Sequence, residues 1–175
     1  DNGYELRLHD TRKFARFYTG PGTEERLKAL GPEPLDKDFK PADLRRVLTG
    51  GNRTLKPLLL DQAVIAGLGN IYVDEALWEA RLNPQMPASG LTPAAVRRLH
   101  QAVRSVLEKS ISNFGTSLGT GLNNFQGVSR RRGENRNFLN VYGRTGQACP
   151  RCGTAIRQIT VAQRSTHVCP QCQKS

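Results

Sequence analysis

Two cysteine pairs near the C-terminus, Cys149-Pro-Arg-Cys152 and Cys169-Pro-Gln-Cys172, are the most informative stretch of this sequence. They contain all four cysteines of the 175-residue chain and are separated by 16 residues. Four thiolates complete the tetrahedral shell of a structural Zn²⁺ and leave no position for a catalytic water. Two disulfides are a less consistent alternative, because the first residues carry no secretion signal. A redox-active CxxC site is also less consistent, because two matched pairs are present. The spacing therefore predicts a zinc ribbon that holds one structural Zn²⁺.

The segment between the two cysteine pairs is typical of a β-hairpin. Ala155–Ala162 and Thr166–Val168 predict two short strands, with Arg164 at the tip of the turn between them. A unit of about 35 residues is too small to bury a core of its own, so the metal would hold it together. Arg164 could then reach a phosphate, although a solvated turn residue would show the same pattern.

The basic residues are concentrated in the same part of the chain. The sequence has 26 Lys and Arg against 15 Asp and Glu, a net charge of +11. Residues 110–175 hold nine of the basic residues and one acidic residue, Glu134, a net charge of +8. This excess favours a polyanionic partner, because Arg side chains match phosphate oxygens and release counterions. A solubilising surface is the alternative.

A long amphipathic helix is predicted in the centre of the chain. Thr92 is suited to the N-cap, and Pro93 is suited to the first turn. Apolar residues recur from there at three- and four-residue steps as far as Ile111, while charged residues occupy the other face. No uninterrupted apolar stretch approaches the roughly 20 residues of a membrane-spanning helix, so we expect no membrane association.

Two further helices are predicted upstream, at Lys56–Ala66 and Ile71–Leu82, joined by Gly67-Leu-Gly-Asn70. The two glycines permit a sharp turn. Asn70 can cap the second helix, whose free backbone N–H groups form an anion site. The pattern indicates a helix–two-turn–helix unit that grips phosphate, or a plain helical hairpin.

The first forty residues have a different character. Tyr4–His9 alternates like a strand, Phe14–Tyr18 predicts a second strand, and residues 10–13 would form the turn. Because two strands do not make a stable sheet alone, this segment is expected to be the end of a larger β domain. Leu30–Leu35 indicates a rigid connector, and Pro41–Leu48 predicts a short helix.

Five segments occur together in a characteristic order. They are Leu30-Gly-Pro-Glu-Pro-Leu35, Leu59-Leu-Asp-Gln62, Gly67-Leu-Gly-Asn-Ile-Tyr72, Leu139-Asn-Val-Tyr-Gly-Arg144 and the paired cysteine ribbon with Gln163-Arg164. In content and order they resemble the formamidopyrimidine-DNA glycosylase family over essentially the whole chain. The resemblance implies an α+β fold with three parts. These are the end of a β-sandwich domain in residues 1–40, a helix–two-turn–helix domain in 41–140 and a β-hairpin zinc ribbon in 141–175.

The resemblance implies a base-excision-repair DNA glycosylase with AP lyase activity, which cuts duplex DNA by β,δ-elimination. Asp10-Thr-Arg-Lys-Phe14 is similar to the family's Asp-Pro-Arg-Arg-Phe wedge, which favours the branch that excises 8-oxoguanine and formamidopyrimidines. An endonuclease VIII-like enzyme for oxidised pyrimidines and a non-catalytic damaged-DNA-binding module are the alternatives. A zinc-ribbon protein that binds RNA or the ribosome would need neither the wedge nor the helical domain.

The resemblance also implies roles for individual residues. Phe14 would wedge into the base stack and Arg12 would hydrogen-bond the orphaned cytosine once the damaged base is extruded. Arg164 would donate the proton for δ-elimination. Phosphates around the flipped nucleotide would be contacted by Asn52, Arg53, Lys56, Asn70, Tyr142 and Arg164. On the residues alone, Phe14 and Tyr142 could also be core aromatics, and Asn70 a simple helix cap.

The family's N-terminal Pro nucleophile and its neighbouring Glu have no counterpart here, since residue 1 is Asp. That Pro amine attacks C1′ of the damaged nucleotide and forms a Schiff base, which then acts as the electron sink for β-elimination. A catalytic segment is therefore expected upstream, and this chain alone is expected to be inactive. The Arg- and Gly-containing stretch 119–138 would cover the extruded base. The complete enzyme is expected to be a monomer of the bacterial cytoplasm, associated with the nucleoid.

Overall fold

The computed structural model describes residues 2–5, 15–49, 52–117 and 133–174. Within these ranges the chain forms five α-helices, two 3₁₀-helices and one two-stranded antiparallel sheet. The α-helices are α1 (Thr23–Lys28), α2 (Pro41–Leu48), α3 (Leu55–Leu60), α4 (Asn70–Glu79) and α5 (Pro93–Ser112). The 3₁₀-helices are Ala88–Gly90 and Asn135–Phe138, and the strands are β1 (Arg157–Val161) and β2 (Arg164–Val168). The predicted α+β class is confirmed. In the part of the chain described, no helix has the length and apolarity to cross a membrane.

Helices α2 to α5 enclose the main hydrophobic core. α4 packs against α3 and α5, and α2 packs against α5. Leucine supplies much of the fully buried volume, with Leu44, Leu59 and Leu99 all 0% exposed. Burial of one such side chain contributes about 1.5–3 kcal/mol. This cluster therefore holds the four helices together without help from the metal site.

Helix α5 follows the predicted pattern along most of its length. Thr92 is its N-cap, and the Thr92 hydroxyl oxygen accepts a hydrogen bond from the backbone N–H of Ala95. The prediction is wrong for Ile111, which is 64% exposed. Ser110 takes the buried position in the last turn instead, and its hydroxyl donates a hydrogen bond to the hydroxyl of Tyr72 at 2.6 Å.

Helix α3 is shorter than predicted. It ends at Leu60, whereas the sequence indicated a helix as far as Ala66. The following residues form turns that are held by the side chain of Gln62, whose Oε1 accepts a hydrogen bond from the N–H of Gly67 at 2.9 Å. Gly67 has a φ of 78°, which residues with a side chain rarely adopt. These turns connect α3 to α4, as the predicted helix–two-turn–helix unit requires.

The N-terminal part differs from the prediction. Residues 15–19 form no strand, although a strand was predicted at Phe14–Tyr18. An isolated strand needs a neighbouring sheet to pair its backbone groups, and the described residues of this part include none. Helix α1 was not predicted, and none of its residues is buried. Most of the other predicted strand, Tyr4–His9, lies outside the described residues, as do residues 118–132.

The predicted connector before α2 is held against the helical domain by hydrogen bonds and by close packing. The Arg104 guanidinium donates hydrogen bonds to the carbonyl oxygens of Pro34 and Asp36 at 2.8 and 2.9 Å. Gly31 lies so close to the next segment that a Cβ there would be 2.5 Å from the backbone carbonyl carbon of Val64. Only glycine fits at this approach.

Gly31→Ala should therefore destabilise the helical domain. The new methyl group would meet backbone that cannot rotate away, and overpacking of this kind costs about 1–3 kcal/mol in the free energy of unfolding. Gly90→Ala is a matched control, because a Cβ at Gly90 would meet only the terminal carbon of Met86, at 4.0 Å. Urea denaturation monitored by far-UV circular dichroism measures both variants. Equal stability of the two would contradict the close packing of the connector.

Candidate functional site

The four cysteines converge on one point. Their Sγ atoms all lie within 4.8 Å of one another, with Cys152 and Cys169 at 3.4 Å and Cys149 and Cys172 at 3.9 Å. Four thiolates at a Zn–S distance of about 2.3 Å form a tetrahedron with edges of about 3.8 Å. The four side chains therefore fit a tetrahedral Zn²⁺ and leave no open ligand position. The predicted structural zinc site is confirmed.

Hydrogen bonds within the ribbon favour the ionised form of one of these thiols, that of Cys152. The side chain and backbone of Thr154 hydrogen-bond to Cys152 and lower the pKa of its thiol to about 6. A thiol with a lowered pKa is mostly ionised at neutral pH, and the thiolate is the form that binds Zn²⁺.

The β-hairpin between the cysteine pairs places Arg164 in a strand. β1 and β2 pair with Val161 opposite Arg164, so that the two-residue turn consists of Ala162 and Gln163. Both turn residues have positive φ, 47° and 60°, a conformation that hairpin turns usually reserve for Asn or Gly. The prediction of Arg164 at the turn tip is wrong, because β2 begins there and not at Thr166. The Arg164 side chain is exposed.

Lys56 is completely buried against this hairpin. Its side chain is 0% exposed, and Nζ forms an ion pair with Oδ1 of Asp74 at 2.6 Å. Nζ also donates a hydrogen bond to the carbonyl oxygen of Ser165 at 3.1 Å. The second oxygen of Asp74, Oδ2, accepts a hydrogen bond from the backbone N–H of His167 at 2.8 Å. The sequence suggested a phosphate contact for Lys56, but the structure gives its ammonium two partners inside the protein.

Burial dominates the electrostatics of this ion pair. It lowers the pKa of Lys56 and raises the pKa of Asp74, while the attraction between the two charges opposes both shifts. Repulsion from the guanidinium of Arg164 lowers the pKa of Lys56 further. Removing either partner would leave the other charge buried and uncompensated, which typically costs about 3–5 kcal/mol.

Asn70 binds the same carbonyl group. The N-cap of α4 is Gly69, and no side chain caps this helix, so the predicted Asn70 cap is wrong. Asn70 is the first helical residue, and its Nδ2 donates a hydrogen bond to the carbonyl oxygen of Ser165 at 3.0 Å. Among the described residues, Oδ1 of Asn70 is the one buried side-chain polar atom without a hydrogen-bond partner. The amide is engaged by the hairpin instead of by its own helix.

Glu75 on α4 holds the segment that carries Tyr142. Its carboxylate is 2% exposed and accepts hydrogen bonds from the backbone N–H groups of Asn140, Val141 and Tyr142 at 2.8–2.9 Å. A fourth hydrogen bond comes from the Asn140 side-chain amide at 3.0 Å. Tyr142 is half-buried, and its ring centroid lies 4.7 Å from that of His167. Tyr142 therefore lies next to the strand that begins with Arg164.

The remaining predicted contact residues are at the surface or outside the described ranges. Asn52 and Arg53 lie just before α3 and are exposed. Arg53 forms an ion pair with Asp61 at 2.9 Å, and this hydrogen bond lowers the pKa of Asp61. Exposed ion pairs of this kind contribute at most about 1 kcal/mol to the free energy of unfolding. Arg53 can therefore leave Asp61 and bind another anion. Arg12 and Phe14 lie outside the described residues.

The residues that join the ribbon to the helical domain were not predicted from the sequence. Asp74 and Glu75 are two of them, and Trp78 is a third. The indole N–H of Trp78 donates a hydrogen bond to Sγ of Cys149 at 3.4 Å, and the guanidinium of Arg151 lies 4.0 Å above the Trp78 ring. The available signal was the pair of adjacent carboxylates inside the otherwise largely apolar stretch Ile71–Trp78, because such a pair requires partners from elsewhere in the chain.

Comparison with known families agrees with this geometry. The family model described as the formamidopyrimidine-DNA glycosylase H2TH domain matches residues 30–120, which is more than half of the chain. The model of a zinc finger found in FPG and IleRS matches residues 146–174. The chain belongs to the formamidopyrimidine-DNA glycosylase family.

Relatives in this family match nearly the whole chain. The formamidopyrimidine-DNA glycosylase of Protochlamydia amoebophila is 48% identical over 174 residues, which cover 99% of this chain and 63% of the relative. The crystal structure of the MutM (FPG) protein from Thermus thermophilus has a TM-score of 0.84 at 42% identity, over 94% of this chain and 63% of that chain. A complex of the Lactococcus lactis Fpg with abasic-site DNA has a TM-score of 0.78 at 39% identity, over 87% of this chain and 54% of that chain. The chain thus spans less than two thirds of the length of these relatives.

Removing the metal should unfold the ribbon of this glycosylase-family chain and leave its helical domain folded. The ribbon's own core is small, so the metal supplies most of its stability. Trp78, the only tryptophan of the chain, is 5% exposed and packs against the ribbon. We therefore expect chelation to shift the Trp78 fluorescence to longer wavelength, while the helical signal in far-UV circular dichroism persists. Added Zn²⁺ should reverse the shift, and Cys149→Ser should resemble the chelated protein. Unchanged fluorescence after verified loss of zinc would contradict this account.

Proposed function

We propose that this protein is a base-excision-repair DNA glycosylase with AP lyase activity, and that the described residues supply its grip on the DNA backbone. The observation that carries the proposal is the placement of Arg164. It is exposed at the start of β2, and the carbonyl of the next residue, Ser165, is bound to Asn70 at the first turn of α4. The backbone that carries an exposed guanidinium thus lies beside a helix N-terminus that no side chain caps, and both groups favour phosphate.

Damaged duplex DNA is the proposed substrate. Complexes of the Lactococcus lactis Fpg contain abasic-site DNA or Fapy-dG DNA, which supports a lesion of this type. The Asp10–Phe14 segment favours oxidised purines, 8-oxoguanine and formamidopyrimidines, over oxidised pyrimidines. Arg12 would hydrogen-bond the orphaned cytosine, and Phe14 would fill the space that the extruded base leaves. The protein would act as a monomer on the nucleoid of the bacterial cytoplasm.

The other assigned residues would share the backbone contacts. Asn52, Arg53, Asn70 and Tyr142 would bind phosphates around the extruded nucleotide, and Arg164 would in addition donate the proton for δ-elimination. The nucleophile would be the N-terminal Pro amine of the complete gene product. Its nitrogen bonds to C1′, the damaged base leaves, and opening of the deoxyribose ring gives an iminium ion that accepts the electrons released in β-elimination.

Trapping with borohydride tests the catalytic part of this proposal. With an abasic duplex, the Pro amine condenses with the C1′ aldehyde and water leaves. Hydride from borohydride then reduces the iminium ion to a stable tertiary amine. The complete gene product should give a strong covalent adduct in a denaturing gel. The 175-residue chain should bind the same duplex and give little adduct, because the nucleophile is not among its residues.

The outcomes of this assay separate the alternatives. Efficient trapping by the 175-residue chain would contradict the proposed nucleophile. Binding by the complete protein without any adduct would favour a non-catalytic damaged-DNA-binding module. Faster release of an oxidised pyrimidine than of 8-oxoguanine would favour an endonuclease VIII-like enzyme. Binding without preference for damaged duplexes would favour a zinc-ribbon protein that binds RNA or the ribosome.

Arg164→Ala should weaken binding to damaged and undamaged duplexes alike. Loss of one phosphate contact should lower the magnitude of the slope of log K against log salt concentration by about 0.9. Arg97→Ala is the matched control, because Arg97 is an exposed arginine on α5 with no proposed contact to DNA. Fluorescence anisotropy over a salt series measures both slopes. Equal slopes for Arg164→Ala and Arg97→Ala would show that Arg164 is a solvated surface residue.

A further inference from the structure

We propose that Lys56 is a positioning residue for Arg164: by holding the Ser165 carbonyl, it fixes the start of β2 against α3 and α4. Lys56 would contribute to DNA binding only through Arg164 and would not contact DNA itself. This inference rests on the proposed function, because it concerns how Arg164 is presented to a phosphate. It assigns Lys56 a role different from the phosphate contact that the sequence suggested.

The surroundings of Lys56 oppose a direct contact with DNA. Its side chain is 0% exposed, and Nζ is bound by Asp74 at 2.6 Å and by the Ser165 carbonyl at 3.1 Å. Turning the ammonium toward solvent would break both interactions. It would also leave the Asp74 carboxylate, itself 0% exposed, without its counter-charge. Lys56 is therefore committed to partners inside the protein.

The hairpin that carries Arg164 needs restraint from outside. A two-stranded sheet is only marginally stable by itself. Its turn adds strain, because Ala162 and Gln163 both adopt the left-handed conformation that disfavours residues with a Cβ. The residues that follow Arg164 are held from the helical side: Lys56 and Asn70 donate to the Ser165 carbonyl, and Asp74 accepts from the His167 N–H. Lys56 and Asp74 thus act together on the strand that Arg164 begins.

The charged groups around the start of β2 differ in their exposure to solvent. Lys56 and Asp74 form a buried pair of opposite charges, whereas the guanidinium of Arg164 is exposed. Of these three groups, Arg164 is the one that can meet a phosphate from solution. Because Lys56 is buried, its ammonium can hold the Ser165 carbonyl in place but is not available to a ligand in solution.

A double-mutant cycle in the complete gene product tests the inference. Lys56→Met combined with Asp74→Asn replaces both charges by neutral groups of similar shape, so that no unpaired charge stays buried. Binding is measured with a duplex that contains a tetrahydrofuran abasic analogue, over a salt series. The paired variant should weaken binding about tenfold and lower the slope magnitude by about 0.9, as Arg164→Ala does, because it loosens the same phosphate contact. In the Arg164→Ala background it should change neither quantity further.

Additivity is the result that would overturn the inference. If Lys56 bound a phosphate directly, the paired variant would lower the slope magnitude by about 0.9 in both backgrounds. Leu99→Ala is the control for general destabilisation, since Leu99 is a core residue of α5 and should lower the melting temperature without changing the slope. Failure of the complete wild-type protein to bind the abasic duplex would contradict the proposed function. Hydrogen exchange of residues 162–168, expected to quicken in the paired variant, would still test the anchoring.

A measurement on the wild-type protein needs no variant to fold. Acetylation with a sulfosuccinimidyl ester, read by mass spectrometry, should leave Lys56 unmodified both in the free protein and in the DNA complex. Lys28 and Lys109, which are exposed, should react in the free protein. Reaction of Lys56 in the free protein, together with its protection by DNA, would show a solvent-accessible phosphate ligand and would contradict the inference.

Discussion

Two adjacent carboxylates buried in α4 are the constraint on which the arrangement of this molecule depends. Transferring a carboxylate from water to the interior costs several kcal/mol unless charged or hydrogen-bonding partners replace the water. Asp74 and Glu75 find those partners outside their own helix. Lys56 and the N–H of His167 compensate Asp74, and the backbone of residues 140–142 compensates Glu75. Both carboxylates need their partners at the same time. The positions of segment 140–142 and of strand β2 relative to α4 are therefore fixed.

The zinc ribbon depends on the same helix for its apolar contacts. Its small core consists of Val141, Cys149, Ile156 and Cys169 together with Trp78, which belongs to α4. The metal closes the ribbon internally, and Trp78 connects that closed unit to the helical domain through an N–H···S hydrogen bond to one of the zinc ligands. Hydrogen bonds to metal ligands from the surrounding protein orient those ligands and tune the site. Metal binding and domain packing are therefore coupled at α4, and neither the ribbon nor its position is independent of the helix.

The features that depend on residues close together in the sequence could be predicted. The spacing of four cysteines gave a zinc site, and the Thr92 cap and apolar periodicity gave α5. Two differences from the predictions involve contacts between distant parts of the chain. Lys56 looked like a free cation because its partners Asp74 and Ser165 are 18 and 109 residues away. Asn70 looked like a helix cap because nothing nearby in the sequence shows that a carbonyl of the hairpin binds its amide.

The same contacts between residues far apart in the sequence also determine the backbone geometry around Arg164. A net charge of +11 attracts any polyanion, and salt screens that attraction without regard to structure. A phosphate bound at one position requires a guanidinium whose backbone is already in place, since ordering a free Arg side chain and its loop would consume much of the interaction energy. At Arg164 the backbone is placed by hydrogen bonds to Ser165 and His167 from the helical domain. The buried charges of Lys56 and Asp74 thereby help to fix the backbone that carries the exposed charge of Arg164.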